Sequence, residues 1–350
     1  MSGLLIAALI FFIFGGSAQY DEHESAQLFA LAVTSTVSSL RGSEEMSKNR
    51  NPLLSVEPLK YSLHPDWKLW SEMEGSEQQQ ALDRVGVYLK KYGDMIGHKK
   101  KIKKHGTCDL INIGLNIEGD HNLCGPAPPK PCNFISFGIN DDPSFDRILA
   151  DRWGCRGFAG DPTVEHPSKL HPLVTFHNVG ATLLMNNEER EVDKGGAEDW
   201  WLVSMPKMRF FLGLKHIDII KLDCEGCEVA FARDILREDP SYLHHVDQLS
   251  IETHVTRTWL DSREHVYYFG LHFALLEEAG FVLEWSNVFG CSKRHEVTGC
   301  MPELEQYGFP CGYKPWPAHP NVVIGVSCQD FLWKRYPEKA SGSFSITKSL

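Results

Sequence analysis

From about residue 108 onward, short runs of apolar, β-branched and aromatic residues alternate with stretches of helical periodicity. Runs of this kind predict strands, and strands that alternate with helices favour a parallel sheet built by right-handed crossovers. We therefore expect an α/β protein with a doubly wound, mainly parallel sheet. The predicted strands are 133–138, 157–160, 173–177, 217–222 and 246–251, with 281–285 and 322–326 closing the sheet.

Helices are predicted before, within and after this series of strands. Residues 76–92 carry an apolar face at helical spacing, formed by Leu82, Val85, Leu89 and Tyr92. A short helix is predicted after the first strand, with Asp142 as its N-cap and Pro143 at its first position. A longer helix is predicted to run to about Ala279, where Gly280 ends it.

The chemistry of such a sheet is expected beyond the carboxyl ends of its strands. Gly138 follows the first strand and allows a ligand to approach the backbone, and the next helix offers free N–H groups. Asp161 follows the second strand, where a carboxylate can accept both hydroxyl hydrogens of a ribose. Taken singly, each is better explained as a turn residue, but the order strand, glycine, helix, strand, acid is more specific.

The loop after the first strand contains Gly138 but no Gly-x-Gly-x-x-Gly. In dinucleotide-binding proteins those glycines serve a pyrophosphate, so their absence argues against a nicotinamide oxidoreductase.

The strongest local signal lies between Ile219 and Glu228, where an apolar strand runs directly into three carboxylates, Asp223, Glu225 and Glu228. Carboxylates in such a place are costly to bury unless they bind something. The alternative is that Glu225 and Glu228 only complement the positive N-terminus of the next helix.

The segment from Lys221 to Glu228 resembles the Lys-Ile-Asp-x-Glu-Gly-x-Glu signature of FkbM-type methyltransferases. The wider pattern resembles a methyltransferase-like family whose members carry a signal or anchor segment. The resemblance covers about 108–335, and Cys224 and Cys227 depart from it. The other matching pieces are Ser136-Phe137-Gly138-Ile139, Ser144-Phe145-Asp146, Asp161-Pro162-Thr163 and Asp199-Trp200-Trp201.

This resemblance implies the Rossmann-like fold of class I S-adenosylmethionine-dependent methyltransferases, whose cofactor has no pyrophosphate. It places Gly138 and Asn140 at the methionine end of the cofactor and Asp161 at the ribose. His177 and Asn178 would lie near the adenine. Asp223 would lie where cofactor and acceptor meet.

The resemblance also implies O-methylation of a small-molecule or glycan acceptor. A hydroxyl acceptor must lose its proton, and the candidate bases are Asp223, Glu225 and the Glu252-Thr253-His254 run. His254 has the pKa range best suited to this role, although a surface histidine is the simpler explanation. The rival hypothesis is a non-catalytic secreted or anchored binding protein that keeps the fold.

The ten cysteines are even in number and consistent with disulfides in an exported protein. Cys224 and Cys227 have the spacing of a redox pair, but no thioredoxin-like context surrounds them. A zinc site in the cluster Cys291, His295, Cys300 and Cys311 matches no common spacing, so disulfides are favoured and no metal is expected there.

The apolar run from Leu4 to Phe14 has the length of a signal-peptide core, and small residues follow it. Residues 1–18 are therefore predicted to be a cleaved signal peptide, or alternatively the anchor of a single-pass type II membrane protein. The rest divides into a stem or irregular region (19–75), a helical lead-in (76–107), the methyltransferase domain (108–335) and a tail (336–350).

The net charge is −11, and the sequence pI is about 5.8. Phosphate binding needs a basic surface, so nucleic acid is not an expected partner. Membrane contact is expected only through the N-terminal segment, if it is retained. The basic run 99–104 is predicted to be a solvated face or a linker.

Overall fold

A computed structural model of the chain describes residues 67–96, 102–114, 121–181, 201–224, 227–254, 260–292, 302–309, 313–316 and 319–340. Of the described residues, those within 67–209 and 215–340 belong to one compact unit, and 210–214 belong to a second. The packing described below concerns the first of these two units.

A sheet of ten strands forms the centre of this unit. The bounds of its strands are β1 Ile102–Lys104, β4 Asn133–Phe137, β5 Arg156–Gly160, β6 Lys169–His171, β7 Val174–His177, β10 Ile217–Leu222, β11 Val246–His254, β12 Phe281–Ser292, β13 Tyr313–Trp316 and β14 His319–Arg335. Their spatial order is β1-β12-β14-β11-β10-β4-β5-β7-β6, and β13 pairs with β14. Two smaller pairs complete the strands: β2 Asp109–Ile113 with β3 His121–Gly125, and β8 Val179–Gly180 with β9 Trp201–Leu202.

The central strands β7, β5, β4, β10 and β11 are parallel to their neighbours, whereas β14 is antiparallel to both β11 and β12. The chain builds β4, β5 and β7 outward in one direction and then returns to place β10 on the other side of β4. Strand order therefore reverses between β4 and β10. The predicted doubly wound, mainly parallel α/β sheet is confirmed.

The helices have the bounds α1 Ser76–Ile96, α2 Ser144–Ile148, α3 Met205–Phe211, α4 Cys227–Glu238, α5 Ser262–Glu278 and α6 Pro302–Glu305. A π-helical turn at Leu149–Trp153 continues α2, and 3₁₀ turns lie at Trp70–Glu72, Tyr242–His245 and Pro337–Lys339.

One face of the sheet is covered by α1, α4 and α5. The predicted apolar face of α1 is confirmed, because Leu82, Val85, Leu89 and Tyr92 are all buried. Aromatic side chains fill the layer beneath: the ring of Tyr92 stacks on Phe273 at 4.9 Å and meets Trp333 edge-on at 5.1 Å. Burial of such large apolar side chains is the main stabilising contribution of this layer.

The other face is covered by α2 and by the β2–β3 hairpin. The sequence analysis predicted a helix at α2 but did not predict the hairpin. Phe134 and Ile219 of the sheet pack in one cluster with Leu123 of the hairpin and Phe145 of α2. Disulfides join Cys108 to Cys124 and Cys132 to Cys155 at this face.

One local prediction is wrong, and two others are refined. Part of the basic run, Ile102–Lys104, is an edge strand paired with β12, and Ile102 and Lys104 are exposed, as predicted for a solvated face. Asp142 is not the N-cap of α2: Pro143 takes that position, and the Asp142 carboxylate accepts from the Ser144 amide at 3.0 Å. The predicted strand 322–326 is part of the much longer β14.

Residues at the end of the predicted stem pack on α5. The Trp67 indole donates to Glu278 at 3.0 Å, and the Trp70 amide donates to the Tyr268 hydroxyl at 2.9 Å. Within the described ranges, no helix is both long and apolar enough to cross a bilayer. Residues 1–18 lie outside those ranges, so the signal-peptide prediction is not addressed by them.

Candidate active site

The carboxyl ends of β4, β5, β7 and β10 are tied together by backbone hydrogen bonds just beyond the strands. The Gly138 amide donates to Gly160 at 3.1 Å, and the Asp161 amide donates to His177 at 3.2 Å. On the other side of β4, the Asp223 amide donates to Phe137 at 3.2 Å. The reversal of strand order brings the predicted residues Gly138, Asp161 and Asp223 to one edge of the sheet, where open α/β sheets bind ligands.

Gly138 and Asp223 meet backbone to backbone. Gly138 has φ +77°, and a Cβ atom placed on it would lie 1.5 Å from the Asp223 carbonyl oxygen. Glycine is therefore required here both for the left-handed conformation and for the close approach of the two loops. The single glycine of this loop has a defined structural purpose at the point where β4 and β10 diverge.

The Asp161 carboxylate is buried and bonded to its own surroundings. One oxygen accepts from the amides of Ile139 at 3.0 Å and Asn140 at 2.9 Å. The other accepts from the amide and the hydroxyl of Thr163, at 2.8 and 2.7 Å. These four bonds use the acceptor sites of a carboxylate and fix the loop after β4. Sequence reasoning missed this role, and the predicted ribose contact remains a prediction.

Asn140 stands at the turn of the same loop with φ +47°, a conformation that asparagine adopts more readily than most residues. Its carbonyl oxygen lies 2.6 Å from Nε2 of His166, a residue that the sequence analysis did not select. The Asn140 side chain is exposed. It remains available to a ligand beyond the strand ends.

Of the predicted adenine neighbours, His177 is the last residue of β7 and Asn178 follows it directly. The His177 ring stacks on Phe158 with centroids 5.0 Å apart and planes 6° from parallel. Burial lowers the pKa of His177, which favours the neutral ring. The exposed Asn178 side chain donates to the Val164 carbonyl, so one of its amide hydrogens holds the neighbouring loop.

Lys221 is a second residue missed as a site candidate, although it begins the quoted signature. It lies in the fully buried strand β10, and its side chain is only 6% exposed. Its ammonium donates to the carbonyl oxygens of Gly138 and Phe137, the latter at 3.4 Å, and lies 3.7 Å from the Asp223 carboxylate. A buried lysine is tolerated only with such partners.

Other predicted residues lie partly or wholly outside the described residues. Glu225 is one of these, and of His254 only the backbone is described, at the end of β11 opposite Cys328. Glu228 is buried in the first turn of α4, as expected for a carboxylate at a helix N-terminus. Glu252 is half-buried in β11.

Cys224 and Cys227 form a disulfide directly after β10. It encloses Glu225 and Gly226, which lie outside the described residues. The side chains of the proposed zinc or disulfide cluster, Cys291, His295, Cys300 and Cys311, are also outside them, so that choice stays open.

No protein-family model and no curated protein matches the chain. Solved structures are similar at low identity. M. capricolum TrmK, in complex with S-adenosyl-homocysteine, is 7% identical over 59% of this chain and 63% of its own, with a TM-score of 0.25. The plantazolicin methyltransferase BpumL, also with S-adenosyl-homocysteine, is 9% identical over 75% of this chain and 87% of its own, with a TM-score of 0.25. A putative sarcosine dimethylglycine methyltransferase from Galdieria sulphuraria is 10% identical over 59% of this chain and 79% of its own, with a TM-score of 0.27.

Strand order is the stronger observation. Counting β4, β5, β7, β10, β11, β12 and β14 as the first to seventh core strands, their order is 3-2-1-4-5-7-6. This is the Rossmann order with an antiparallel seventh strand between the fifth and sixth. The chain therefore has a doubly wound, Rossmann-like fold.

Proposed function

We propose that this protein is an S-adenosylmethionine-dependent methyltransferase. The observation that carries the proposal is the contact of Gly138 with Asp223 at the reversal of strand order. Open α/β sheets bind their ligands at this kind of crevice. Here a left-handed glycine, an exposed asparagine and a carboxylate surround it.

The groups around the crevice fit this cofactor. The Asp223 carboxylate is 25% exposed and lies 3.7 Å from the Lys221 ammonium. Asn140 and Asn178 offer exposed amides on either side of Asp161. Beneath the loop, the Ser136 hydroxyl and the Asp146 carboxyl group are buried and interact with each other. Such a set suits a ligand with both charged and hydroxyl groups.

S-adenosylmethionine supplies an electrophilic methyl group on a sulfonium when it is bound. The contribution of the protein is then to position the acceptor and to remove its proton. Asp223 directly follows β10 at the reversal point and is proposed to orient the acceptor or to accept its proton. Glu225 and His254 are the other proposed bases, following Asp223 and ending the neighbouring β11, respectively.

We further propose O-methylation, with a small-molecule or glycan acceptor. The test is transfer of a tritiated methyl group to a panel of free oligosaccharides, with Asp223→Ala as the paired variant. Transfer by the wild type and its loss in a folded Asp223→Ala protein supports the proposal. Equal transfer by both proteins removes Asp223 from the mechanism.

A non-catalytic binding protein is the second candidate, favoured by one observation. All acceptor sites of Asp161, the residue proposed for the ribose, are used within the protein. Calorimetric titration with S-adenosylmethionine and with NAD separates the candidates. Binding of the first alone supports the methyltransferase, binding of neither supports the second candidate, and binding of NAD alone contradicts both.

Delivery to the secretory pathway is also proposed. The disulfides Cys108–Cys124, Cys132–Cys155 and Cys224–Cys227 support it, because such bonds persist mainly in oxidising compartments. Expression in cultured cells with a C-terminal tag tests the proposal. Recovery in the medium or in the lumen is expected, and a protein recovered only from the cytosol contradicts it.

A further inference from the structure

A row of three buried polar side chains crosses the middle of the sheet. Lys221 of β10 is in register with Ser136 of β4 on one side and with Ser250 of β11 on the other. Residues in register on parallel strands point to the same face, so the three side chains lie side by side. All are nearly or completely buried. Burial of an ammonium here needs specific compensation.

Part of that compensation comes from the edge of the candidate site. The Lys221 ammonium donates to the carbonyl oxygens of Phe137 and Gly138 and pairs with the Asp223 carboxylate. It thus holds both loops that diverge at the reversal of strand order. Hydrogen bonds from a charged donor are about twice as strong as neutral ones, and more so where water is excluded.

The rest of the compensation for the Lys221 charge comes from below the 137–140 loop. Asp146 of α2 is 1% exposed and interacts electrostatically with Lys221 and with His166. Burial raises the pKa of Asp146 to about 6, although Lys221 and the Ser136 hydroxyl favour its charged form. Asp146 is therefore a buried carboxyl group on the covering helix that interacts electrostatically with the ammonium.

The hairpin adds a neutral partner to this group. His121 of β3 is buried, and its Nδ1 lies 2.9 Å from Ser250 Oγ. Burial and the nearby Lys221 charge hold the pKa of His121 well below its usual value, so the ring adds no second positive charge. Lys221 is the cation of a cluster whose anions are Asp146 and Asp223.

We infer that Lys221 is a positioning residue, whose ammonium holds the 137–140 loop and the Asp223 turn in the conformation that binds the cofactor, with Asp146 balancing its charge. This inference rests on the proposed function for its cofactor. The geometric part, the holding of the loop, is independent of any ligand.

The test uses Lys221→Met, Asp146→Asn and the double variant in the full-length protein. Each single change leaves a buried charge with less compensation and is expected to lower the melting temperature. The double variant removes both charges, so its melting temperature should recover toward that of the wild type. Lys215→Met, an exposed lysine just before the same strand, is the control and should change nothing.

Two further measurements distinguish a positioning role of Lys221 from a contribution to stability alone. Hydrogen exchange should show faster exchange of the Ile139 and Asn140 amides in Lys221→Met and also in the double variant. Calorimetry should show S-adenosyl-homocysteine binding weakened about tenfold in both, the loss expected for one charged hydrogen bond. If affinity and amide protection recover together with stability in the double variant, the inference is wrong.

Failure of the proposed function gives a different result. If the wild type binds no S-adenosyl-homocysteine, the cofactor assignment fails, and hydrogen exchange alone then decides the role of Lys221. Unchanged exchange of the Ile139 and Asn140 amides in the double variant overturns the inference. Faster exchange there supports its geometric part.

Discussion

The Asp223 carbonyl oxygen lies against the Cα of Gly138, so close that a Cβ atom at residue 138 would overlap it. This contact joins the loops after β4 and β10, the two strands between which the strand order reverses. The candidate site therefore depends on a single glycine in a loop that lacks the other glycines of a dinucleotide fingerprint.

Gly138→Ala is predicted to destabilise the protein by more than about 3 kcal/mol, because left-handed strain adds to a backbone overlap. Gly75→Ala is the matched control: Gly75 has φ +45°, but nothing lies within 4 Å of its added Cβ. It should cost only the strain, about 1–2 kcal/mol. Chemical denaturation of both variants is the measurement, and equal losses would contradict the importance of the contact.

Asp161→Asn is predicted to destabilise the protein by about 1–3 kcal/mol. The new amide group would present donors to a position surrounded by the donors of Ile139, Asn140 and Thr163. Asp109→Asn, at an exposed position in β2, is the control. Thermal unfolding measures both, and a loss no larger than that of the control would show that these bonds contribute little.

Much of this site could be predicted from sequence, because its main residues follow apolar runs directly. Gly138, Asp161 and Asp223 each come within one residue of a strand end, and parallel strands place those ends at one edge. The predicted contacts were those with a ligand, however. The hydrogen bonds of Asp161 within its own loop follow from loop conformation, which local sequence does not specify.

The burial of Lys221 and the β2–β3 hairpin could not be predicted, because both depend on contacts between residues distant in sequence. The buried position of Lys221 depends on its register with Ser136 and Ser250, which are 85 and 29 residues away, and on a helix covering that face. Likewise, the basic strand β1 forms only because β12, nearly 180 residues later, offers an open edge. The available signal for the buried polar row was a polar residue one position before the end of an apolar strand, Ser136 in β4 and Lys221 in β10.

His216 and Asp247 provide a pH-dependent contribution at the opposite edge, with Nε2 and Oδ2 2.8 Å apart. The hydrogen bond that the His216 ring donates to the Asp247 carboxylate raises the pKa of His216 above 6.5. Burial alone would raise the pKa of Asp247, but His216 and Arg335 lower it overall. The His216 contribution is thus present below pH 6.5 and lost as pH rises through its folded pKa, whereas that of Asp247 is lost in acid.

His216→Gln should therefore reduce the free energy of unfolding more at about pH 5.5 than at about pH 8.5. Urea denaturation at the two pH values measures the difference. Both side chains are nearly half exposed, so the effect should shrink with added salt. A cost independent of pH would contradict the ion pair.

His272 is predicted to reduce the free energy of unfolding at acidic pH. It is buried in α5, and burial lowers its pKa to about 3. The unfolded chain therefore binds a proton more readily, and stability falls by about 1.4 kcal/mol for each pH unit below its ordinary pKa. His272→Leu should lose less stability than the wild type between pH 7 and about pH 5. Parallel losses in both proteins would show that His272 is not responsible.

Hydrogen exchange of the wild type with and without saturating S-adenosyl-homocysteine tests the central claim most directly, because it reports both binding and its place. The account predicts slower exchange of amides in 137–140, 161–164 and 223–224, the three loops that meet beyond β4, β5 and β10. No change in exchange, or slowing confined to other parts of the sheet such as β1 and β12, would contradict it.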